Sequence, residues 1–173
     1  MSTDKNIEAA ENANFKNAMA MMAAAVEVVA TDGKAGRGGL TVTAACSVSQ
    51  EPPRLLVCVN TSASAHRVVV ENGRLSLNIL AKGQEAVAGA FGGKVPPEQR
   101  FEVGEWGSDE LGQPILKDAC ARFSCSIHDT MRSGTHTIFL CDVHVADSQR
   151  GPLPLVYFDR MMTTLPQVAR AEA

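Results

Sequence analysis

Thr41, Thr43, Ala44, Cys46 and Ser47 follow one another along a single strand-like stretch, where a plain core strand would carry larger aliphatics. Side chains this short let a flat ring approach the backbone. Hydroxyls and exposed amides beside them can bond to it, as cofactor pockets require. The same pattern also suits a half-exposed strand with Thr and Ser on its wet face. A second cluster, Ser62 and Ser64 in "NTSASAH", places hydroxyls and amides at a helix start. That arrangement suits a phosphate and equally an ordinary N-cap. His136 follows Gly134 and Thr135 at the mouth of another strand. A neutral imidazole there can donate a hydrogen bond to a carboxamide or a ring, or serve structure alone.

The elements that must position these groups can be read from periodicity and punctuation. Asn14 could cap a helix whose apolar residues Phe15, Ala18, Met19 and Met22 follow helical spacing. "VEVVATDG" reads as a strand ending in an Asp-Gly turn, and the glycines of "GKAGRGG" as a mobile loop. Leu40 to Val48 and Arg54 to Asn60 form a hairpin, turned by "SQEPP". "SASAHRVVVENG" is a short helix stopped at Gly73, "RLSLNIL" a strand, and "GQEAVAGAFGG" a helix closed by glycines. Lys94 to Pro114 is a long irregular excursion carrying the only tryptophan, Trp106, and such loops tend to be functional or to pack on a partner. "ARFSCSIHDTM", "GTHTIFLCDVHVADS" and "PLVYFD" complete roughly seven strands. Short strands with brief helices argue for an antiparallel barrel over a doubly wound sheet.

Several motifs fail their context tests. A dinucleotide fingerprint needs a helix after its glycines, and a strand follows "GKAGRGG". "AFGGKVPP" lacks the first glycine of a phosphate loop, and Val95 stands where Ser or Thr is needed. The four histidines show neither helical pairing nor zinc-ligand spacing to a cysteine, so no metal site is expected. There is no G-x-S-x-G elbow.

Bulk properties narrow the class further. A chain of 173 residues suits one domain, expected over 14–165, with loose tails at 1–13 and 166–173. A net charge of −3 supplies no basic field for nucleic acid. Five cysteines without C-x-x-C point to a reducing compartment. With no basic-then-apolar leader and no apolar run of about 20 residues, a cytoplasmic protein without a membrane segment is expected.

In order along residues 15 to 165, "GGLTVTAACSVSQEPPRLLVCVN", "SASAHRVV", "LSLNILAKGQEAVAGAFGG", "GTHTIFLCDV" and "PLVYFDR" resemble the flavin reductase-like family. The resemblance implies a mainly β fold, the FMN-binding split β-barrel with Greek-key antiparallel strands and a few peripheral helices, usually as a homodimer. It implies an NADH- or NADPH-dependent reductase of FMN or FAD that supplies reduced flavin to a partner flavin-dependent monooxygenase. A flavin-binding module without reductase activity is the alternative. By the family pattern, Thr41, Thr43, Ala44, Cys46 and Ser47 would line the flavin, and Ser62, Ala63 and Ser64 would hold its phosphate and ribityl end. Phe91 and Lys94 would close the site. His136, with Tyr157, Phe158, Asp159 and Arg160, would contact the nicotinamide nucleotide. Many members carry Gly-Asp-His where this chain has Gly134-Thr135-His136, so the role of that Asp does not carry over.

Overall fold

The computed structural model describes residues 12–166. The expected tails fall mostly outside the described residues, although 12 and 13 already belong to a helix over residues 12–20 (α1). The other elements are β1 (Ala24–Ala25), β2 (Glu27–Thr31), β3 (Gly38–Val42), β4 (Ala45–Gln50), β5 (Pro53–Asn60), α2 (His66–Asn72), β6 (Arg74–Ile79), α3 (Glu85–Gly89), β7 (Trp106–Ser108) and β8 (Pro114–Leu116). They continue with β9 (Ala121–Ser133), β10 (His136–Ser148), β11 (Leu155–Phe158) and β12 (Met161–Thr164).

Seven strands pair antiparallel in the order β3-β2-β6-β9-β10-β5-β4. The two edges, β3 and β4, are separated in sequence by Thr43 and Ala44 alone. A sheet whose outermost strands share one corner must curl until its edges meet, so the barrel is slit along one seam. The expected single strand from Leu40 to Val48 is therefore two strands. Only at that slit do β3 and β4 each keep one edge unpaired.

Alternation assigns the faces. Val29, Leu40, Val42, Val57, Val59, Leu75, Leu77 and Phe139 point into the barrel, where Val69 of α2 plugs the interior. Val28 and Ala30 point outward, yet they too are buried, beneath Val87, Ala88, Phe91, Leu116 and Leu155. Strand β2 thus lies between two apolar clusters and is buried along its whole length.

Glycine chemistry sets two of the turns. Gly73, at φ 66, ends α2 in the left-handed conformation, and its N–H bonds to the Val69 carbonyl. Gly134, at φ 53, opens the two-residue turn between β9 and β10. Between β11 and β12 the same job falls to Asp159 and Arg160, at φ 46 and 61. Two consecutive left-handed residues make a I′-type hairpin turn without glycine, which the sequence did not signal.

The Gly33–Gly39 loop, expected to be mobile, is tied down by Asn72. Its amide donates to the Gly36 carbonyl at 2.9 Å and its Oδ1 accepts the Ala35 N–H at 2.8 Å. The excursion after Lys94 contains a 3-10 turn (Pro97–Glu102) and the β7–β8 hairpin. Trp106 packs inward within its own chain, with ring centroids 5.1 Å from both Phe91 and Phe101. Among the described residues no helix is long and apolar enough to cross a membrane.

A bay at the slit of the barrel

A cavity of about 850 Å³ opens where β3 turns into β4. Thr43, Ala44, Ala45 and Cys46 form one wall, and Leu56 and Cys58 of β5 continue it. Phe15, Lys16 and Met19 of α1 face them, with Tyr157 and Arg160 closing the end. The I′ turn fixes this end: the Asp159 N–H donates to the Ala20 carbonyl at 2.7 Å, and Arg160 Nη2 donates to Asn17 Oδ1 at 2.6 Å.

A second cavity, of about 410 Å³, adjoins it and shares Thr43 and Tyr157. Thr41, Gly89, Gly92, Lys94 and Met162 line it. The Thr41 hydroxyl donates to the Ala88 carbonyl at 2.8 Å and so staples β3 to α3. The Lys94 stem passes over Gly89, its Cδ 2.9 Å from where a Cβ would project. Sequence-predicted Thr41, Thr43, Ala44, Cys46, Lys94, Tyr157 and Arg160 therefore come together around one elongated bay. Ser47 lines a third cavity on the other side of β4.

Ser62, Ala63 and Ser64 lie away from the ring-sized bay, at the opposite end of β3. Helix α2 begins only at His66, and its cap, Ala65, makes no side-chain bond, so Ser64 is not an N-cap. Ser62 Oγ and N–H both bond to Asn60 Oδ1, at 2.8 and 2.9 Å. Ser64 Oγ instead accepts from Arg100 Nη1 at 3.2 Å, and the same nitrogen donates to the Gly39 carbonyl at 2.8 Å. Arg100 is only 8% exposed, and its Nε has no partner. Sequence reasoning passed over Arg100, which sits in the charged run "PEQRFE" and reads there as solvated surface.

Phe91 does not close the bay. It is 2% exposed and stacks edge-on to Phe101 at 5.0 Å, beneath β3. Phe158 and Asp159 are exposed and line none of the three cavities, while Tyr157 and Arg160 flank them in sequence and do. His136 is exposed, with Nδ1 2.9 Å from Thr135 Oγ1. Its strand register sets it opposite Asn60, on the sheet face shared by Cys58 and Leu56 of the bay wall.

Glu27 was also missed. It is 6% exposed on β2, its Oε2 has no partner, and burial raises its carboxyl from 4.5 to about 7. In "VEVVAT" it reads as the wet face of an alternating strand. The structure buries both faces.

The bay suits a flat, extended ligand on three counts. Its size falls within the roughly 300–1,000 Å³ of cofactor pockets. Its wall carries no side chain larger than threonine or cysteine from Thr43 to Cys46. The unpaired edge of β3 offers main-chain donors and acceptors alongside. An antiparallel barrel slit at such an edge defines the class of split β-barrels.

Within that class the chain belongs to the flavin reductase like domain family, whose model matches residues 19–166. It is 45% identical over 148 residues to the FMN reductase (NADH) RutF of Variovorax paradoxus (strain S110), covering 86% of this chain and 82% of the relative. With the protein of the same name from Agrobacterium fabrum it shares 47% over 152 residues, 88% of this chain and 87% of that one. Among solved structures, a putative flavin reductase from Haemophilus somnus 129pt superposes with a TM-score of 0.85 at 36% identity, covering 88% of this chain and 98% of the other. BorF, the flavin reductase component of a bacterial two-component tryptophan halogenase, gives 0.84 at 27% identity, covering 91% and 99%.

Proposed function

We propose that the protein is an NADH-dependent flavin reductase that uses FMN and hands the reduced flavin to a separate flavin-dependent monooxygenase. One observation carries the reading. The free edge of β3 joins an Arg100–Ser64 pair, at Gly39, to the small-residue bay at Thr43. Four residues of strand separate these points by about 13 Å, a span suited to a ligand with an anionic tail and a flat ring. The names of the RutF relatives support NADH and FMN, and the likeness to BorF, a reductase component of a two-component halogenase, supports a two-component arrangement.

In this reading Thr43, Ala44 and Cys46 border the ring, Ser47 lies beyond it, and Ser62, Ala63, Ser64 and Arg100 hold the phosphate end. The bound flavin and NADH bring the hydride chemistry with them. What the chain contributes is placement. Ala44 and Cys46 keep one face of the bay shallow. Lys94 flanks the middle of the bay. His136, on the same face as Cys58, orients the nicotinamide together with Tyr157 and Arg160. No side chain is asked to move a proton, so single substitutions should act through binding. The exposed apolar rim of Phe15, Met19, Met22 and Met162 fits coverage by a second copy in a homodimer, and the reaction belongs to the cytoplasm.

The test is NADH oxidation by purified protein with and without added FMN. Turnover that depends on flavin is expected. Flavin binding without consumption of NADH or NADPH would overturn the reading in favour of a binding module.

A further inference from the structure

Among the described residues, Glu27, Ala45 and Cys46 alone are common to the 850 Å³ bay and to the third cavity, of about 330 Å³, at the end of the barrel. That inner cavity is walled by Leu55, Leu77, Ile79, Phe123 and Val143. Glu27 is therefore a carboxyl group set in an apolar partition, with an unpaired Oε2, between the proposed ring site and the barrel interior. It is the only carboxylate among the described residues lining either cavity.

No neighbouring cation is committed to it. Arg54, on the inner wall, donates through Nε to Asp142 at 2.7 Å and lies 3.2 Å through Nη2 from His128. Arg160 is held by Asn17. The other ionisable groups on these walls are Cys46 from β4, Cys58 from β5, Lys16 from α1 and Tyr157 from β11. The lining residues of β3 and β6 are all uncharged. A buried acid without a counter-ion is neutral while it holds its proton and becomes an uncompensated charge when it loses it.

Reduced flavin is itself a weak acid whose ring ionises near neutrality, whereas the oxidised ring stays neutral until strongly alkaline solution. Two weak acids in one site resist ionising together. Resting on the flavin reading above, we propose that Glu27 makes the site selective between flavin states, accepting the ring while one of the two acids keeps its proton and expelling reduced flavin when both are charged. Release of the reduced product to a second protein then follows from charge repulsion built into β2. The near-neutral ionisation of Glu27 places this transition in the working range of pH.

The experiment is anaerobic equilibrium binding of oxidised and chemically reduced FMN to the full chain, by ultrafiltration, between about pH 7 and about pH 9. This range lies above the second ionisation of a phosphate, at about 6, so the ring is the titrating part of the ligand. For the wild type, the ratio of reduced to oxidised dissociation constants should rise about tenfold, one pKa unit's worth of coupling. In Glu27→Gln the ratio should stay within about twofold. Glu27→Met, which removes both the charge and the polar head at similar length, should behave like the glutamine variant and covers the case in which glutamine folds poorly. Parallel curves for wild type and variants, or a wild-type ratio that does not change with pH, overturn the inference while leaving the flavin site standing. Failure of the wild type to bind either form overturns the flavin reading itself, and this inference with it.

Discussion

The ring of Phe91 lies directly under Gly39, so that a Cβ built on the glycine would fall 2.6 Å from Phe91 Cε1 and 2.9 Å from the Val29 carbonyl oxygen. This contact seats β3 on the aromatic cluster of Phe91, Phe101 and Trp106 and fixes the height of the edge along the bay. Gly39→Ala should destabilise the protein by about 2 kcal/mol, because neither the neighbouring backbone nor the buried ring can move aside without loss of packing. Thermal unfolding should show a Tm lower by roughly 4–8 °C. An unchanged Tm would mean that the seat is loose.

Arg100 makes a different kind of claim, about charge. Its Nη1 holds Gly39 and Ser64 together, and its Nε is left without a partner. If this end receives the phosphate, Arg100→Met should weaken FMN binding about tenfold or more, the worth of a charge-assisted hydrogen bond. Riboflavin, which has no phosphate, should be affected far less. Equal losses for both ligands in a fluorescence titration would place the phosphate elsewhere.

How much of this was legible beforehand depends on the range of the physics involved. The β4–β5 hairpin and the stop at Gly73 rest on turn residues acting within a few positions, and both are legible in the sequence; the pairing of β9 with β10 is not. The break at Thr43–Ala44 was not, because those residues continue the alternation of a strand and only closure of the barrel separates them. Strand β1 has two residues and forms only by pairing with β11, a long-range event, whereas β12, "MMTT", pairs with β11 locally across a turn that lacks the glycine that would have signalled it. In the bay, Thr41, Thr43, Ala44 and Cys46 came from an unusual local composition. Glu27 and Arg100 were invisible because their burial is decided by elements distant in sequence: β4, β5 and β6 closing round the barrel-facing side of β2 at Glu27, and the Gly38–Val42 strand over Arg100.

Glu27 also carries a stability consequence that holds without any ligand. Its carboxyl ionises near 4.5 in an unfolded chain and near 7 in the folded one. A raised acid contributes stability that is complete below about pH 4.5 and lost as pH rises through about 7, at a cost of up to about 3 kcal/mol. Glu27→Gln should therefore gain in Tm over the wild type at pH 8, by up to roughly 6–12 °C, with much less difference at pH 4. A constant gap across that range would show that the carboxyl finds a partner in solution.

The cysteines offer a footprint of the bay. Cys46 is exposed on its wall, whereas Cys125 and Cys141 are buried among core residues. Burial pushes the Cys141 thiol up to about 12 and raises Cys125 further, so both stay protonated and unreactive. Alkylation of the native protein followed by peptide mass analysis should label Cys46 first and spare Cys125 and Cys141. Saturating FMN should slow labelling of Cys46 severalfold. Labelling indifferent to flavin would argue that the ring does not rest on β4.

His136 separates the two ligands most cleanly, since it stands outside the bay but on the face that continues it. Register places it opposite Asn60, and Asn60 accepts the hydrogen bonds from Ser62 that shape the neighbouring rim. A group so placed can contact a nicotinamide arriving over the ring without supporting the ring itself. His136→Ala should therefore raise the KM for NADH about fivefold to tenfold, the worth of one neutral hydrogen bond, with flavin affinity nearly unchanged. Stopped-flow reduction at varied NADH and a separate flavin titration measure the two effects independently. If both fall together, His136 supports the flavin site through the β5–β10 pairing and its assignment to the nicotinamide is wrong.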